Sequence, residues 1–216
     1  MTQKLFCYVD ETGQDTQGRL AEFSVTCPRK RNNAKMHIRE ATPDDIAGIA
    51  RVHVDAWRTT YRGIVPDAHL DGLSYERSES KWRRIFAQQV AGAFVLFVED
   101  DAGRIVGFAN GGPERDGDPI YRGEVGWIYL LAEIRRRGVG HSLMAEAARR
   151  LLAHGFETLL VWVLAPNPSR NFYAALGGRP IKEKPITIGG AELIEVAYGW
   201  ADIRPLAALG GASHET

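Results

Sequence analysis

Arg135-Arg136-Arg137-Gly138-Val139-Gly140-His141 lies between two strongly patterned segments of this 216-residue chain. The segment before it, EVGWIYLL at 124–131, is rich in β-branched and aromatic residues, which favour a β-strand. In the segment after it, 142–154, small and apolar residues recur at the three- and four-residue spacing of a helix. The sequence therefore predicts a strand, a short basic glycine loop and a helix in direct succession.

This loop has the features of an anion-binding site. The first amides of a helix lack acceptors within the helix, and the helix dipole adds a partial positive charge at that end. Gly138 and Gly140 allow a ligand to approach the backbone closely, and the three arginines add charge. The pattern Arg-x-x-Gly-x-Gly differs from the phosphate loop of nucleoside triphosphatases and from the Gly-x-Gly-x-x-Gly dinucleotide loop. On its own the loop leaves two interpretations open, a pyrophosphate site and a solvated basic turn that caps a helix.

The residues downstream favour the pyrophosphate site. A second predicted strand, 158–164, is followed by Asn167 and by a predicted helix that carries FYAALGG at 172–178. Together the two motifs resemble the GNAT superfamily of N-acetyltransferases, in which an Arg/Gln-x-x-Gly-x-Gly/Ala loop precedes an Asn…Phe-Tyr-x-x-x-Gly segment. The resemblance runs from about Ile38 to Trp200. It implies an α/β fold in which a mixed central β-sheet with flanking helices holds acyl-CoA in a splayed cleft.

The composition argues against several other classes of protein. Lys plus Arg and Asp plus Glu both number 27, so the net charge is zero and no global basic field exists for nucleic acid. No apolar run reaches membrane-spanning length, and the first residues lack a signal-peptide core. The two cysteines and six scattered histidines show no metal-ligand spacing. We therefore expect a cytoplasmic protein with no metal and with no nucleic-acid or membrane partner.

One domain is expected at 36–204, with the predicted element order β-α-α-β-β-β-α-β-α-β-β. It is expected to begin at Met36 because the MHIR sequence at 36–39 is similar to the opening strand of an acetyltransferase. Residues 205–216 are small and rich in glycine and alanine, and we predict a flexible tail. Residues 1–35 form an N-terminal extension whose role stays open. It is an appendage, or the result of a misplaced start codon with Met36 as the true start, or a β-hairpin that joins the sheet or a dimer.

The resemblance assigns the cofactor contacts to the loop, to the strand before it and to the segment after the second strand. Loop amides would surround the pyrophosphate, with arginine side chains adding charge. The preceding strand would splay from its neighbour at a bulge, and its backbone would pair with pantetheine. Asn167 would contact the pantetheine arm, with helix capping as the alternative. The predicted cofactor-binding residues are Ile128, Tyr129, Leu130, Arg135, Arg136, Arg137, Gly138, Val139, Gly140, His141, Asn167 and Tyr173.

Two residues are candidates for proton transfer. Tyr173 resembles the superfamily tyrosine that faces the CoA sulfur, and a neutral phenol can donate a proton to a departing thiolate. Its alternative role is packing together with Phe172. Glu124 stands where histone-type members carry a glutamate that activates the amine through water, and strand alternation places it on the side of Gly126 and Ile128. Trp162 stands where ribosomal-protein acetyltransferases carry a glutamate, and this difference counts against that activity.

The acceptor side is predicted by resemblance alone. The segment around the first two helices commonly lines it, and its candidates here are His53, Trp57, Tyr61, His69 and Tyr75, with core packing as the alternative for each. The function implied is direct transfer of an acetyl group from acetyl-CoA to a primary amine, on a small molecule. The alternatives are a non-catalytic acyl-CoA-binding regulator and an enzyme that acetylates protein or aminoacyl-tRNA. A homodimer is a further expectation from the resemblance.

Overall fold

The computed structural model describes residues 36–209, so both the N-terminal extension, 1–35, and the last seven residues lie outside the described part. The strands are β1 His37–Glu40, β2 Phe94–Glu99, β3 Ile105–Pro113, β4 Gly123–Leu130, β5 Leu159–Leu164, β6 Arg179–Ile188 and β7 Ala191–Trp200. The helices are α1 Ile46–Thr60, α2 Asp67–Asp71, α3 Tyr75–Ala87, α4 Val139–Ala153, α5 Arg170–Ala175 and α6 Arg204–Ala208, with 3-10 turns at Pro43–Asp45 and Ala132–Ile134.

The strands form one sheet in the order β1-β2-β3-β4-β5-β7-β6. The β4–β5 pair is parallel and every other neighbouring pair is antiparallel. The predicted mixed α/β fold is therefore confirmed, with α2 and α6 added to the predicted order. The tail prediction starts too early, because residues 205–208 belong to α6. Leu206 and Ala207 are buried, and Arg149 of α4 donates to the Ala207 carbonyl at 3.3 Å.

A β-bulge at Gly126 changes the face of the sheet to which the preceding side chains of β4 point. Asn110 of β3 lies opposite Trp127 and Gly111 lies opposite Val125, so Gly126 is the extra residue. Beyond it, Glu124 lies opposite Gly112. Glu124 therefore shares a face with Trp127, because their partners are two residues apart in β3. The predicted placement of Glu124 beside Ile128 is wrong, since simple alternation takes no account of the bulge.

Next to this bulge, β4 and β5 diverge. They pair only at their first residues, Gly123 with Leu159 and Glu124 with Leu160. In contrast, β5 pairs with β7 over all six of its residues. The last six residues of β4 therefore lie beside a gap, because β5 does not pair with them there, and this gap is the predicted splayed cleft.

Helices cover both faces of the sheet. α1 and α3 pack on one face, which we call the α1–α3 face, while α4 packs on β2, β3 and β4 from the other. An aromatic layer fills the α1–α3 face, with Trp82 edge-on to both Phe108 and Trp127 at centroid distances of 5.1 Å. This burial contributes much of the fold's hydrophobic stabilisation, because each large aromatic buries 150–250 Å². The layer consists of His53, Trp57, Trp82, Phe108, Trp127 and Tyr129.

Candidate functional site

The loop before α4 turns through two left-handed residues. Arg136 has φ +61° and Gly138 has φ +79°, and the helix begins at Val139. The amide of Ser142 donates to the Gly138 carbonyl at 3.1 Å. The amides of Val139 and Gly140 therefore lie in the open first turn of a 15-residue helix, where the helix dipole favours an anion.

The charges around this turn also suit an anion. The side chains of Arg136 and Arg137 belong to exposed residues beside the helix start. Glycine at 138 avoids the cost of about 1–2 kcal/mol that a side chain brings in the left-handed region. Pyrophosphate binding needs convergent amides and cations, and the loop supplies both. The geometry fits the pyrophosphate of CoA.

The side chain of Arg135 bonds to the ends of β4 and α1. Its Nε donates to the Leu130 carbonyl at 3.2 Å, and its Nη2 donates to the hydroxyls of Thr60 at 3.0 Å and Thr59 at 3.2 Å. The guanidinium thus joins the end of β4 to the end of α1. These bonds give Arg135 a positioning role, and its predicted contact with pyrophosphate stays a prediction.

Beyond the bulge, the backbone N–H and C=O groups of β4 point alternately toward β3 and toward the β4–β5 gap. The Leu131 amide donates to Val106 of β3 at 2.9 Å, and successive residues of a strand alternate in direction. Tyr129 therefore faces β3, while Ile128 and Leu130 face the gap. The predicted pairing with pantetheine is thus restricted to Ile128 and Leu130, and the Leu130 carbonyl already accepts from Arg135.

Asn167 lies at the end of β5 and is 1% exposed. Its Oδ1 accepts from the amide of Ser169, the N-cap residue of α5, at 3.0 Å, so Asn167 stabilises the turn just before that helix. Its contact with pantetheine stays a prediction. The residue also lines an open cavity of about 340 Å³, whose other lining residues are Ala165, Pro166, Pro168, Arg170, Asn171 and Tyr198.

Tyr173 lies on α5, inside the protein. It is 0% exposed and its ring packs against Phe172, Tyr198 and Trp200 at centroid distances of 5.4–6.4 Å. Phe172 in turn contacts His141 of α4 edge-on at 5.3 Å. The packing role is therefore real and holds α5 against the start of α4. The role of Tyr173 as general acid stays a prediction, and it requires the leaving sulfur to reach a buried hydroxyl.

Glu124 is buried, at 3% exposure, and is held by Arg115 of the β3–β4 loop. Arg115 Nε donates to Oε2 at 2.9 Å and Nη2 donates to Oε1 at 2.5 Å. This bidentate geometry is a strong form of ion pair, and it occupies both oxygens that would take a proton. The general-base role of Glu124 stays a prediction that requires Arg115 to release one oxygen.

Three of the predicted acceptor-side residues are core residues of the α1–α3 face. Tyr61 is 0% exposed, and Trp57 Nε1 donates to the Tyr129 hydroxyl at 2.8 Å. His53 Nδ1 lies 3.2 Å from Ser78 Oγ. Burial, and then the charge of Lys81, lower the pKa of His53 to about 3. His53 is therefore neutral at physiological pH and cannot take a proton from an amine.

The other two acceptor-side candidates lie nearer the surface. The His69 ring is 6.0 Å from the Trp57 ring, and its Cβ lies beneath Gly189 in the β6–β7 turn. A Cβ at Gly189 would come within 2.6 Å of it, so the turn packs directly on α2. Tyr75 is 39% exposed and donates to Asp55 at 2.7 Å. His69 is thus the candidate that contacts both the aromatic layer and the hairpin.

Two lysine ammonium groups lie over the ring of Trp162. Lys184 Nζ lies 3.8 Å and Lys182 Nζ 5.4 Å from its ring centroid. Lys184 also pairs with the fully buried Glu195 at 3.2 Å. Register places Trp162 on the same sheet face as Glu124, because Glu124 lies opposite Leu160. The position that holds a glutamate in ribosomal-protein acetyltransferases thus anchors lysines here.

Sequence reasoning missed the two cations nearest the bulge, Lys81 and Arg115. Lys81 Nζ lies 4.6 Å above the Trp127 ring, and Arg115 holds Glu124. Lys81 occurs in a polar helix beside Trp82, and Arg115 occurs in a polar loop. Both positions have the local pattern of a solvated surface, so no local signal distinguishes them.

Other classes of site have no support in the described residues. Within 36–209, no group of three or more His, Cys, Asp or Glu side chains is placed to hold a metal ion. No helix in the same range is long and apolar enough to cross a membrane.

Known proteins match most of the chain. The model of the acetyltransferase (GNAT) family matches residues 51–177. An uncharacterized N-acetyltransferase of Bacillus subtilis, YuaI, is 43% identical over 172 residues, which cover 80% of this chain and 96% of that protein.

Solved structures share the fold. The PaiA N-acetyltransferase of Thermoplasma acidophilum, in complex with coenzyme A, has a TM-score of 0.60 at 19% identity, and the match covers 74% of this chain and 98% of that one. A phosphinothricin acetyltransferase of Sinorhizobium meliloti, in complex with AcCoA, has a TM-score of 0.60 at 20% identity and covers 76% and 87%.

Proposed function

The chain belongs to the acetyltransferase (GNAT) family, and we propose that it transfers an acetyl group from acetyl-CoA directly to the primary amine of a small molecule. The observation that carries this proposal is the junction of the β4–β5 gap with the start of α4. A single stretch of chain leaves the gap at Leu130 and reaches the left-handed Gly138 at the helix start. The gap and the anion site are thus contiguous.

The described residues fit acetyl-CoA as co-substrate. Amides of Val139 and Gly140, with the side chains of Arg136 and Arg137, would hold its pyrophosphate. Ile128 and Leu130 present backbone groups to the gap, where pantetheine can pair as a strand would. Two of the structures that share the fold contain CoA or AcCoA, which supports this choice of co-substrate.

Acetyl-CoA supplies an acyl thioester, and the protein's residues supply position and polarity. A backbone N–H in the β4 gap can polarise the thioester carbonyl, in the manner of an oxyanion hole. Tyr173 donates a proton to the leaving sulfur, and Glu124 accepts one from the amine. Most of the rate enhancement would come from holding thioester and amine together in the gap.

An assay of CoA release tests this function. The full chain is incubated with acetyl-CoA and a panel of small primary amines, and free thiol is measured over time. We expect release that depends on the amine and yields an N-acetyl product by mass spectrometry. Binding of acetyl-CoA without amine-dependent release would instead indicate a regulator that has lost turnover. Acetylation of a peptide or of aminoacyl-tRNA in preference to every small amine would reject the small-molecule acceptor.

A further inference from the structure

Lys81 is a cation on the α1–α3 face without a carboxylate partner among residues 36–209. Its Nζ lies 4.6 Å over the Trp127 ring, and the charges that act on it are those of Arg115 and Arg84. Other cations of this face have carboxylate partners. Arg115 pairs with Glu124, and Lys184 Nζ lies 3.0 Å from Asp116. Lys81 therefore concentrates positive charge at one point of the face.

Holding the Lys81 ammonium partly buried without a counter-ion costs free energy, and a bound anion would offset that cost. Burial, and then Arg115 and Arg84, lower the pKa of Lys81 from 10.5 to about 8. The side chain still carries its charge at neutral pH, over an aromatic face and next to other cations. Partly desolvated charges are normally paired in proteins, and unpaired ones are common at functional sites.

Lys81 lies over the part of β4 that borders the proposed acetyl-CoA gap. Trp127 directly follows the bulge at Gly126, where β4 turns from its pairing with β5 toward the gap. Arg115 is held on the same face through Glu124. Asn110 lies opposite Trp127, and its Oδ1 is buried without a hydrogen-bond partner among the described residues. The face thus offers the Lys81 cation for an anionic group and the Asn110 oxygen as acceptor for an amine N–H.

We propose that the acceptor is a small amine that also carries a carboxylate or phosphonate, and that Lys81 binds this anionic group on the α1–α3 face beside the bulge. The inference rests on the proposed function and names its substrate class. Lys81 is a specificity residue in this account, since it would contact the acceptor but not the thioester.

The test compares acids with their matched neutral forms. L-Amino acids are assayed against their carboxamides, and 2-aminoethylphosphonate against ethanolamine, by CoA release at pH 7.5. The amine of a carboxamide is less basic and therefore more often deprotonated, so intrinsic reactivity favours the neutral form. We expect the protein to prefer the best acid over its amide by about tenfold or more in kcat/KM, as an ion pair with a charged acceptor group gives.

Lys81→Gln should reduce this acid-to-amide ratio to below about two. The ratio is the informative quantity, because general structural damage lowers turnover of both members of a pair. Arg83→Gln is the matched control, since Arg83 lies two residues away on the same helix and is exposed beside Glu79. The control should keep the wild-type ratio. A wild-type ratio near one, or a ratio that persists in Lys81→Gln, would overturn the inference.

A binding experiment separates this inference from the proposed function. N-acetyl-L-methionine and N-acetyl-L-methioninamide are titrated calorimetrically into the protein with CoA present. Tighter binding of the acid that is lost in Lys81→Gln supports the anion site even without turnover. Amine turnover without any preference for acids leaves the proposed function standing and rejects the anion site. If neither probe binds and no acid is acetylated, the anion site is rejected as well.

Discussion

The stability of this protein should fall between pH 7.5 and pH 4.5, and His53 should account for a defined part of the loss. The His53 ring is buried between α1, α3 and the sheet, and burial lowers its pKa from 6.5 to about 3. The unfolded chain takes up a proton below pH 6.5 that the folded protein does not, so stability is present above pH 6.5 and is lost as the pH falls. With these two pKa values, the linkage relation gives a loss of about 3 kcal/mol over this interval.

Urea denaturation at the two pH values measures this loss, since the unfolding free energy extrapolates linearly to zero denaturant. His53→Gln removes the titration but keeps a polar side chain that can bond Ser78, so it should lose about 2–3 kcal/mol less than the wild type over the interval. His154→Gln is the control, because His154 is exposed at the end of α4 and solvent reaches it in both states. An equal loss in His53→Gln and the wild type would refute the argument, because the buried ring would then not be the source.

Three substitutions test the proposed machinery. Gly138→Ala should cost about 1–2 kcal/mol of stability and weaken acetyl-CoA binding about tenfold. Gly155→Ala, at the other end of the same helix with φ +80° and equal open space, should show the stability cost alone, and equal loss of binding in both would refute the site. Glu124→Gln should lower kcat about 100-fold, since an amide cannot accept the proton. A kcat within threefold of wild type would leave Glu124 only its pairing with Arg115. Tyr173→Phe should likewise lower kcat about 100-fold, and wild-type turnover would assign this ring to packing alone.

The elements that sequence predicted well are those fixed by local pattern. α1 repeats its buried positions at helical spacing, and β4, the basic loop and α4 follow one another with strong strand and helix signals. These features depend on neighbours within a few residues, so one sequence suffices to find them.

The features that were not predicted from the sequence depend on contacts between segments that are distant in the chain. The bulge at Gly126 exists only in register with β3, and it changes the face on which Glu124 lies. Arg135 donates to the hydroxyls of Thr59 and Thr60, which lie 76 and 75 residues earlier in the chain. Lys81 has its place above Trp127 only because α3 crosses β4. None of these contacts can be detected from the composition of the neighbouring residues.

Calorimetric titration of the full chain with acetyl-CoA, beside free CoA and ATP, tests the central claim most directly. The start of α4 and the β4–β5 gap together should bind both CoA species, because acetyl-CoA and CoA share the pyrophosphate and pantetheine that these two features are proposed to contact. ATP offers phosphates without pantetheine and should give no measurable heat at the same concentrations. Saturable binding of acetyl-CoA and CoA, with none of ATP, is the predicted result. A protein that circular dichroism shows to be folded but that binds neither CoA species would contradict the account.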